Sequence, residues 1–358
     1  MKPRRAKFCQ AGYGLIELMI AMGLGLIVLA GVLVVFMAQR RVYQSASSQA
    51  LIQNGQNALS AIITPMIRGA GFTGCSNIEN GVVTYVAART TPLTFDTSSA
   101  VKGFAATTMP AKVIDGAAND VTAGDWTPAL DASFLTIAVG GVAQGSDVLV
   151  LIGAPPGAAP VGVTDFGASQ ITVNDASGII NTPQMLAVSD CGKSSIFQIS
   201  AAAGNVLTYA SGPSGTPQYP VGSQAVPIQQ TGFFVARRKN SQQNALFEAV
   251  MTIPAGGTTA NAVWAISELV PGISNMQVRY GSGSSDQTDQ YVDASLVTNW
   301  SEITSVKLGF LVEGQQGSSD VATNPTSFAL FDKTLTLPAD SRLRHTFYMT
   351  VNTRNSTL

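Results

Sequence analysis

The sequence predicts an α+β protein in which a long N-terminal helix, first membrane-spanning and then amphipathic, packs on a mainly antiparallel β-sheet C-terminal domain. Three observations support this prediction. Residues 18–38 are uncharged and mostly apolar, residues 51–67 carry apolar side chains at helical spacing, and the chain from residue 72 onward alternates short β-rich runs with turn residues. About 20 apolar residues are enough for a helix to cross the hydrocarbon core of a bilayer.

Charged residues flank the start of the apolar run. Basic side chains precede it, at Lys2, Arg4, Arg5 and Lys7, and Glu17 stands at its edge. Basic residues on this side orient such a helix with its N-terminus in the cytoplasm. A carboxylate at the edge of an apolar helix is costly unless it is paired, so Glu17 requires a partner.

Three ordinary targeting signals can be compared with this run. A plain signal-anchor helix fits its length. A cleaved secretory signal peptide does not, because the run is too long and continues into residues 39–41, Gln-Arg-Arg, without a small-residue cleavage site. A lipoprotein signal would place the modified cysteine after the apolar region, whereas Cys9 precedes it.

Residues 12–17, Gly-Tyr-Gly-Leu-Ile-Glu, resemble the prepilin signature of type IV pilins and type II secretion pseudopilins. The resemblance implies that a prepilin peptidase removes the basic leader, residues 1–12, by cutting after Gly12. It also implies that the enzyme methylates the new N-terminal residue, Tyr13, and that Glu17 becomes the fifth mature residue. Tyr13 replaces the usual phenylalanine, and Gly14 stands where threonine or serine is common.

Cleavage at this position would give Glu17 a partner. It creates an α-amino group at Tyr13, and residues four apart on a helix are neighbours on one face. A paired carboxylate in an apolar environment is far less costly than an isolated one. We expect Glu17 to pair with the amine of its own chain or with that of an incoming subunit, and so to set the register of assembly.

The helix is expected to continue beyond the membrane, to residue 71. Pro65 predicts a kink, and Gly69 and Gly71 provide the stop signal. Residues 68–75, a glycine-rich segment with a cysteine, resemble the turn that follows the first helix in the PilW family of minor pilins. The expected apolar stripe on this part of the helix consists of Leu51, Leu59, Ile62, Ile63, Met66 and Ile67.

Residues 72–358 are predicted to form a β-rich domain, large enough for two β lobes. Segments 145–151, 189–198, 268–281 and 344–355 also resemble PilW sequences, which implies a pilin-like version of the fold. The expected strands are residues 82–87, 134–139, 148–152, 196–199, 277–280, 306–312 and 347–351.

The cysteines predict one disulfide bond. Removal of the leader would take Cys9 with it and leave Cys75 and Cys191. A cysteine pair in a domain exported to an oxidising compartment is a natural disulfide candidate. Two buried thiols are the alternative interpretation.

The sequence offers little material for catalysis, and we predict no enzyme activity, cofactor or metal. His345 is the single histidine, so histidine-based metal and nucleophile sites are disfavoured. Residues 187–194 fit a relaxed phosphate-loop pattern, but the following residues alternate like a strand, where that loop opens a helix. The acidic cluster Asp286, Asp289 and Asp293 lies in a glycine- and serine-rich loop and could hold calcium, but it lacks EF-hand spacing, so a solvated loop is favoured.

The charge pattern also disfavours nucleic-acid binding. The formal net charge is −1, and loss of the basic leader would make the chain more acidic. Two basic groups, residues 237–239 and the arginines Arg342, Arg344 and Arg354, are interpreted as solvated loops or strand faces.

The resemblances together imply a PilW-type minor pilin that primes assembly of a type IV pilus near its tip and supports twitching motility and adhesion. The implied partners are other minor pilins, the major pilin, the prepilin peptidase, the inner-membrane assembly platform and a tip adhesin, with no small-molecule substrate. The implied location is the inner membrane, with the C-terminal domain in the periplasm, and then the pilus. A minor pseudopilin capping a type II secretion pseudopilus is the alternative, and a membrane-anchored enzyme or DNA receptor is a third hypothesis.

Overall fold

The computed structural model describes residues 14–85, 97–107, 122–135, 137, 141–179, 184–213, 218–239, 241, 243–257, 261–283, 290–319 and 324–353. Two α-helices are present in these residues, α1 (Leu15–Gly69) and α2 (Ala132–Leu135). The strands are β1 (Val82–Tyr85), β2 (Val101–Ala106), β3 (Trp126–Thr127), β4 (Val148–Gly153), β5 (Val161–Phe166), β6 (Gln170–Val173), β7 (Gln184–Ser189), β8 (Ser194–Ala203), β9 (Val206–Tyr209), β10 (Gln224–Arg237), β11 (Asn244–Thr252), β12 (Val263–Pro271), β13 (Ile273–Ser282), β14 (Gln290–Val292), β15 (Ile303–Glu313), β16 (Ser327–Leu330), β17 (Lys333–Thr336) and β18 (Arg344–Asn352).

Strand β10 organises the larger sheet, which has 12 strands. Its first half pairs with β5 and β7, and its second half pairs with β4 and β11. Both faces of this 14-residue strand are almost entirely buried, as its near-continuous apolar sequence requires. Among the described residues, the strand pairings of this sheet are antiparallel except for β1 with β8, so the predicted mainly antiparallel β-sheet is confirmed.

A second sheet of four strands has the order β14-β13-β15-β18, and the hairpin β16–β17 contacts it through β15 and β18. Helix α1 contacts β4 and β12 of the larger sheet and β15 and β18 of this second sheet. The main hydrophobic core lies between the helix and these strands. Strands β5–β9 enclose a separate hydrophobic cluster around Phe197 and Leu207, both fully buried.

The amphipathic part of α1 buries one side on the sheets. Its buried hydrophobic residues are Ile52, Leu59, Ile63 and Ile67. The predicted stripe is therefore right for the last three and wrong at Leu51, which is 47% exposed while Ile52 is 3% exposed. At about 1.5–3 kcal/mol for each buried aliphatic side chain, this stripe is a main source of docking energy.

The prediction that Gly69 and Gly71 end the helix is close to the observed end at Gly69. Pro65 is exposed and lies inside α1, which continues past it to Gly69. Proline removes one hydrogen bond and crowds the preceding turn. The buried residues on either side, Ile63 and Ile67, keep the helix on the sheet through this position.

Most of the predicted strands are confirmed, because residues 148–152, 196–199, 277–280, 306–312 and 347–351 lie in β4, β8, β13, β15 and β18. Residues 82–85 form β1, and the remainder of that predicted strand lies outside the described residues.

The strand predicted at residues 134–139 is wrong at each of its described residues, because residues 134 and 135 are helical and residue 137 lies in a bend. Phe134 lies in the short helix α2, and residues 136 and 138–140 lie outside the described residues. The turn forms because the Asp131 carboxylate accepts the Ser133 N–H at 2.9 Å, which competes with extended backbone. The Phe134 ring then packs over Gly232, where a Cβ atom would come within 2.6 Å of the ring.

Candidate functional site

The first half of α1 is an exposed apolar surface. Its large hydrophobic side chains between Leu15 and Met37 are 52–78% exposed. The helix is long and apolar enough to cross a membrane by its length and composition. A continuous apolar surface of this size marks a membrane or protein contact, because an isolated soluble domain would not leave it in water.

Glu17 lies in the first turn of this helix. The carbonyl of Gly14 begins the helix by accepting the N–H groups of Glu17 at 3.0 Å and Leu18 at 3.2 Å. A carboxylate in the first turn also interacts favourably with the positive end of the helix dipole. The predicted cleavage residues Gly12 and Tyr13 lie outside the described residues, so the pairing of Glu17 with an α-amino group stays a prediction.

Ser48 is the first buried residue of α1 and contacts the β domain. This side chain is 1% exposed, and its hydroxyl accepts the N–H of Gln315 at 3.2 Å. A Cβ atom on Gly314 would lie 2.7 Å from the Ser48 Cβ, so the loop approaches the helix closely only because residue 314 is glycine. Ser48 therefore marks the boundary between the exposed and docked halves of α1.

The end of α1 is joined to the larger sheet by backbone contacts. The Gly71 N–H donates to the Ile152 carbonyl at 2.7 Å, and Ala70 forms a bridge with Gly153. A Cβ atom on Gly153 would lie 2.6 Å from the Gly69 carbonyl oxygen, so this approach also requires glycine.

The predicted disulfide bond joins Cys75 and Cys191, whose Cα atoms are 4.8 Å apart. It connects the turn after α1 to the turn between β7 and β8. Next to it, the hydroxyls of Thr73 and Ser194 are hydrogen-bonded at 3.2 Å in a buried position. The docked half of the helix is thus tied to the sheet by both packing and a covalent bond.

A buried group of charges, which the sequence interpretation missed, joins the two sheets around Asp147. This side chain is 1% exposed and accepts the backbone N–H groups of Ala106 at 2.9 Å and Val278 at 2.8 Å. Lys333 lies 3.4 Å away and Arg279 3.8 Å away. Burial raises the pKa of Asp147 to about 6, although Lys333 and the two backbone N–H groups oppose the rise. The sign of this buried charge group in the sequence is a carboxylate, Asp147, directly before the uncharged apolar strand β4.

The interpretation of the basic group near the C-terminus as a solvated loop or strand face is wrong for two of its members. Arg342 and Arg344 are buried, not solvated. Arg342 pairs with Glu313 at 3.1 Å, and Arg344 pairs with Asp340 at 2.7 Å. Their partners are distant in the chain or in an adjacent turn, and a buried arginine is stable only with such partners. The third predicted member, Arg354, lies outside the described residues.

The basic group at residues 237–239 is only in part a solvated face. Arg238 pairs with Glu268 of β12 at 2.8 Å, with both side chains about one-third exposed. An ion pair of this exposure contributes little stability, about 0–1 kcal/mol.

The phosphate-loop pattern at residues 187–194 spans the end of β7, a turn and the start of β8. Asp190 organises that turn by accepting the N–H groups of Gly192 and Lys193. A β-hairpin turn of this kind lacks the helix N-terminus that holds phosphate. Of the predicted acidic cluster, Asp293 contacts Arg279 at 3.2 Å, while Asp286 and Asp289 lie outside the described residues. Within the residues that the structure describes, no group of three His, Cys, Asp or Glu side chains could hold a metal ion.

Two family matches agree with this architecture. Residues 232–355 match the family described as Type IV Pilus-assembly protein W, and residues 7–33 match the Prokaryotic N-terminal methylation motif. None of the curated proteins matches the chain. The first match runs from β10 to beyond β18 and includes the PilW-like segments 268–281 and 344–355, but not those at 68–75, 145–151 and 189–198.

The second match covers the junction around Glu17 and most of the exposed apolar helix. The chain is thus similar to the PilW family over residues 232–355, and a prepilin-type methylation motif stands at the start of its exposed helix, which supports a type IV pilin-like protein.

Proposed function

We propose that this chain is a PilW-type minor pilin, a non-catalytic subunit that primes assembly of a type IV pilus and sits in the complex at its tip. One observation carries the proposal. A single helix begins with a prepilin motif, exposes an apolar surface over its first half, and is docked on a β domain over its second half. Such a subunit presents the same surface first to lipid and then to the helices of neighbouring subunits.

We propose that the subunit is processed, inserted in the membrane and assembled in the following order. Residues 1–12 form a leader that the prepilin peptidase removes, residues 13–71 form the helix, and residues 72–358 form the β domain. The N-terminus lies in the cytoplasm and the β domain in the periplasm, where a disulfide bond such as Cys75–Cys191 persists. The inner-membrane assembly platform then transfers the subunit into a complex with other minor pilins, the major pilin and a tip adhesin.

The β domain supplies the surface that such partners would recognise. Exposed large hydrophobic side chains occur on it, including Val221 at 76%, Leu296 at 68% and Tyr348 at 43%. Single exposed hydrophobic residues are common, so the apolar half of α1 remains the main contact that drives assembly.

Deletion of the gene tests the proposal at the level of the filament. We expect a loss of surface pili and of twitching motility, with secretion of exoproteins unchanged, and recovery when the full chain is restored. Loss of exoprotein secretion with normal pili would overturn the proposal in favour of a pseudopilin.

Processing at Gly12 can be tested in the same strain. A bulkier residue in the Gly12→Val variant should block the peptidase, so that an immunoblot shows the longer precursor. Gly14→Ala is a matched control, because a Cβ atom on Gly14 meets nothing within 4 Å. A mature-sized product from Gly12→Val would exclude this cleavage site.

The role of Glu17 can be separated from membrane insertion. Glu17→Gln keeps the side-chain shape and removes the charge, so we expect normal insertion but a strong loss of the subunit from sheared pili. Glu17→Asp keeps the charge and should retain part of the incorporation. Equal amounts of Glu17→Gln and unaltered subunit in sheared pili would refute the pairing.

A further inference from the structure

A cleft with a mixed polar and apolar lining lies where α1 leaves the β domain toward its exposed half. Its volume is about 640 Å³. One wall is the helix and the other is formed by the loop after β15 and the segment before β18. Its polar side chains are Arg41, Gln44, Ser45, Ser318, Ser319 and Ser341, and Val42 and Leu343 supply apolar surface.

Hydrogen bonds among residues of the cleft wall hold the cleft in shape. In the part of the chain that the structure describes, these bonds do not involve the Arg41 guanidinium. The Gly317 N–H donates to the Ser341 hydroxyl at 2.8 Å, and the Ser319 N–H donates to the Ser341 carbonyl at 2.9 Å. Gly317 has a φ of 87°, and a Cβ atom there would lie 3.5 Å from the Gln44 amide oxygen. The loop is therefore a fixed wall beside the helix.

The cleft lies at a defined depth relative to the apolar run. That run ends at Ala38, and Arg41 and Ser45 follow within two helical turns, about 5–10 Å further along the helix axis. The headgroup layer beyond the hydrocarbon core of a bilayer is about 5–8 Å thick on each side. With residues 18–38 in the membrane, Arg41 lies within the headgroup layer, and the Ser45 end of the cleft lies at its outer edge.

The charge at this depth is positive. Arg40 and Arg41 are exposed, and neither forms an ion pair in the part of the chain that the structure describes. The nearby carboxylates are engaged elsewhere, Glu313 with Arg342 and Asp340 with Arg344. Asp320, which follows Ser319, lies outside the described residues. Arginine matches the geometry of a phosphate oxygen pair, and hydroxyl and amide groups can donate to the remaining oxygens.

We propose that this cleft binds the headgroup phosphate of an anionic membrane phospholipid, with Arg41 as the principal contact and Arg40 as a second charge at the membrane surface. The inference rests on the membrane-anchored stage of the proposed function. The bound lipid holds the β domain at a fixed height and orientation on the membrane before assembly. Extraction of the subunit into a filament then releases the lipid.

Native mass spectrometry of the full processed chain in detergent micelles tests the site, with phosphatidylglycerol and phosphatidylcholine as probes. Both lipids carry the phosphate, but the trimethylammonium group of phosphatidylcholine would face the positive charges of Arg40 and Arg41. We expect phosphatidylglycerol to be retained about tenfold more tightly because it lacks that opposing charge. Arg41→Gln should remove most of that preference. Arg68→Gln is the matched control, because Arg68 is an exposed arginine on the same helix about 40 Å away at 1.5 Å per residue.

The outcomes separate the possible sources of the phosphate. Equal retention of the two lipids, or equal phosphatidylglycerol binding by Arg41→Gln and Arg68→Gln, would overturn the proposal. Displacement of phosphatidylglycerol by an equal concentration of inorganic phosphate would also overturn it, in favour of a soluble ligand. The measurement needs no pilus, so it can fail while the deletion strain still loses its pili, and the reverse also holds.

Discussion

The two halves of α1 carry similar aliphatic side chains in opposite surroundings. Before Ser48 the large hydrophobic residues up to Met37 are at least 52% exposed, whereas Ile52, Leu59 and Ile63 are at most 3% exposed. The difference shows that the β domain needs only the second half of the helix for its core. The first half must then be covered by something outside the chain, which is what a subunit that moves from a membrane into a filament requires.

The sequence of each half explains its environment. Residues 18–38 of the first half are apolar on all sides, as expected for a helix that lipid or other helices surround completely. The second half has apolar residues on one side and Gln, Asn and Ser on the other, so it can face two sheets and water at once. Ser48 and the closely approaching Gly314 lie where one pattern gives way to the other.

Truncation of a leucine in each half gives the largest expected contrast. Leu59→Ala removes a fully buried side chain from the main core and should lower the free energy of unfolding of the β domain by about 2–5 kcal/mol. Leu29→Ala changes a side chain that is 55% exposed and should leave that free energy unchanged. Urea unfolding of both variants in the same detergent measures the difference. Equal losses would mean that the first half also supports the fold.

Removal of the disulfide bond tests how firmly the docked half is anchored. Cys75→Ser with Cys191→Ser opens a loop of 116 residues, and we expect a loss of about 2–4 kcal/mol. The unaltered protein should lose the same amount when a reductant is added, while the double variant should not respond to the reductant. An unchanged urea midpoint in both experiments would show that packing and the Gly71 backbone contact hold the end of α1 by themselves.

Features written in short stretches of sequence were predictable. The helical spacing of Leu59, Ile63 and Ile67 gave the docked face, and Gly69 gave the end of the helix. Leu51 was misassigned because two adjacent apolar residues, Leu51 and Ile52, both fit a stripe drawn from sequence, and only the position of the sheets selects between them.

Features that depend on distant partners were not predictable. Arg344 reads as a solvated cation until Glu313, 31 residues earlier in the chain, is placed 3.6 Å from it. Asp147 likewise receives its partners from β2, β13 and β17, which are remote in sequence. Local periodicity therefore predicts which elements form, whereas the buried polar contacts that fix the sheets to one another follow from topology.

The smallest expected effect is a pH dependence of the docked region. Burial raises the pKa of Glu79, in the turn after α1, from 4.5 to about 7, and raises that of Asp147 from 3.8 to about 6. Both carboxyls therefore bind protons more tightly in the folded protein. Their stabilising contribution is complete below about pH 4 and is lost as the pH rises through 6 and 7.

Two other carboxyls act in the opposite direction at lower pH. Burial alone would raise the pKa of Asp340 and of Asp332, but hydrogen bonds from Arg344 and Arg279 lower both. Their contribution is present above about pH 4 and is lost on further acidification.

Between pH 5 and pH 8 the raised pKa values of Glu79 and Asp147 dominate, so the urea midpoint of the β domain should be higher at pH 5 than at pH 8. Glu79→Gln should reduce this difference because the amide does not titrate. A midpoint that is equal at the two pH values would show that neither Glu79 nor Asp147 is protonated at pH 5 in the folded domain. The domain that holds the second half of α1 would then tolerate both charges.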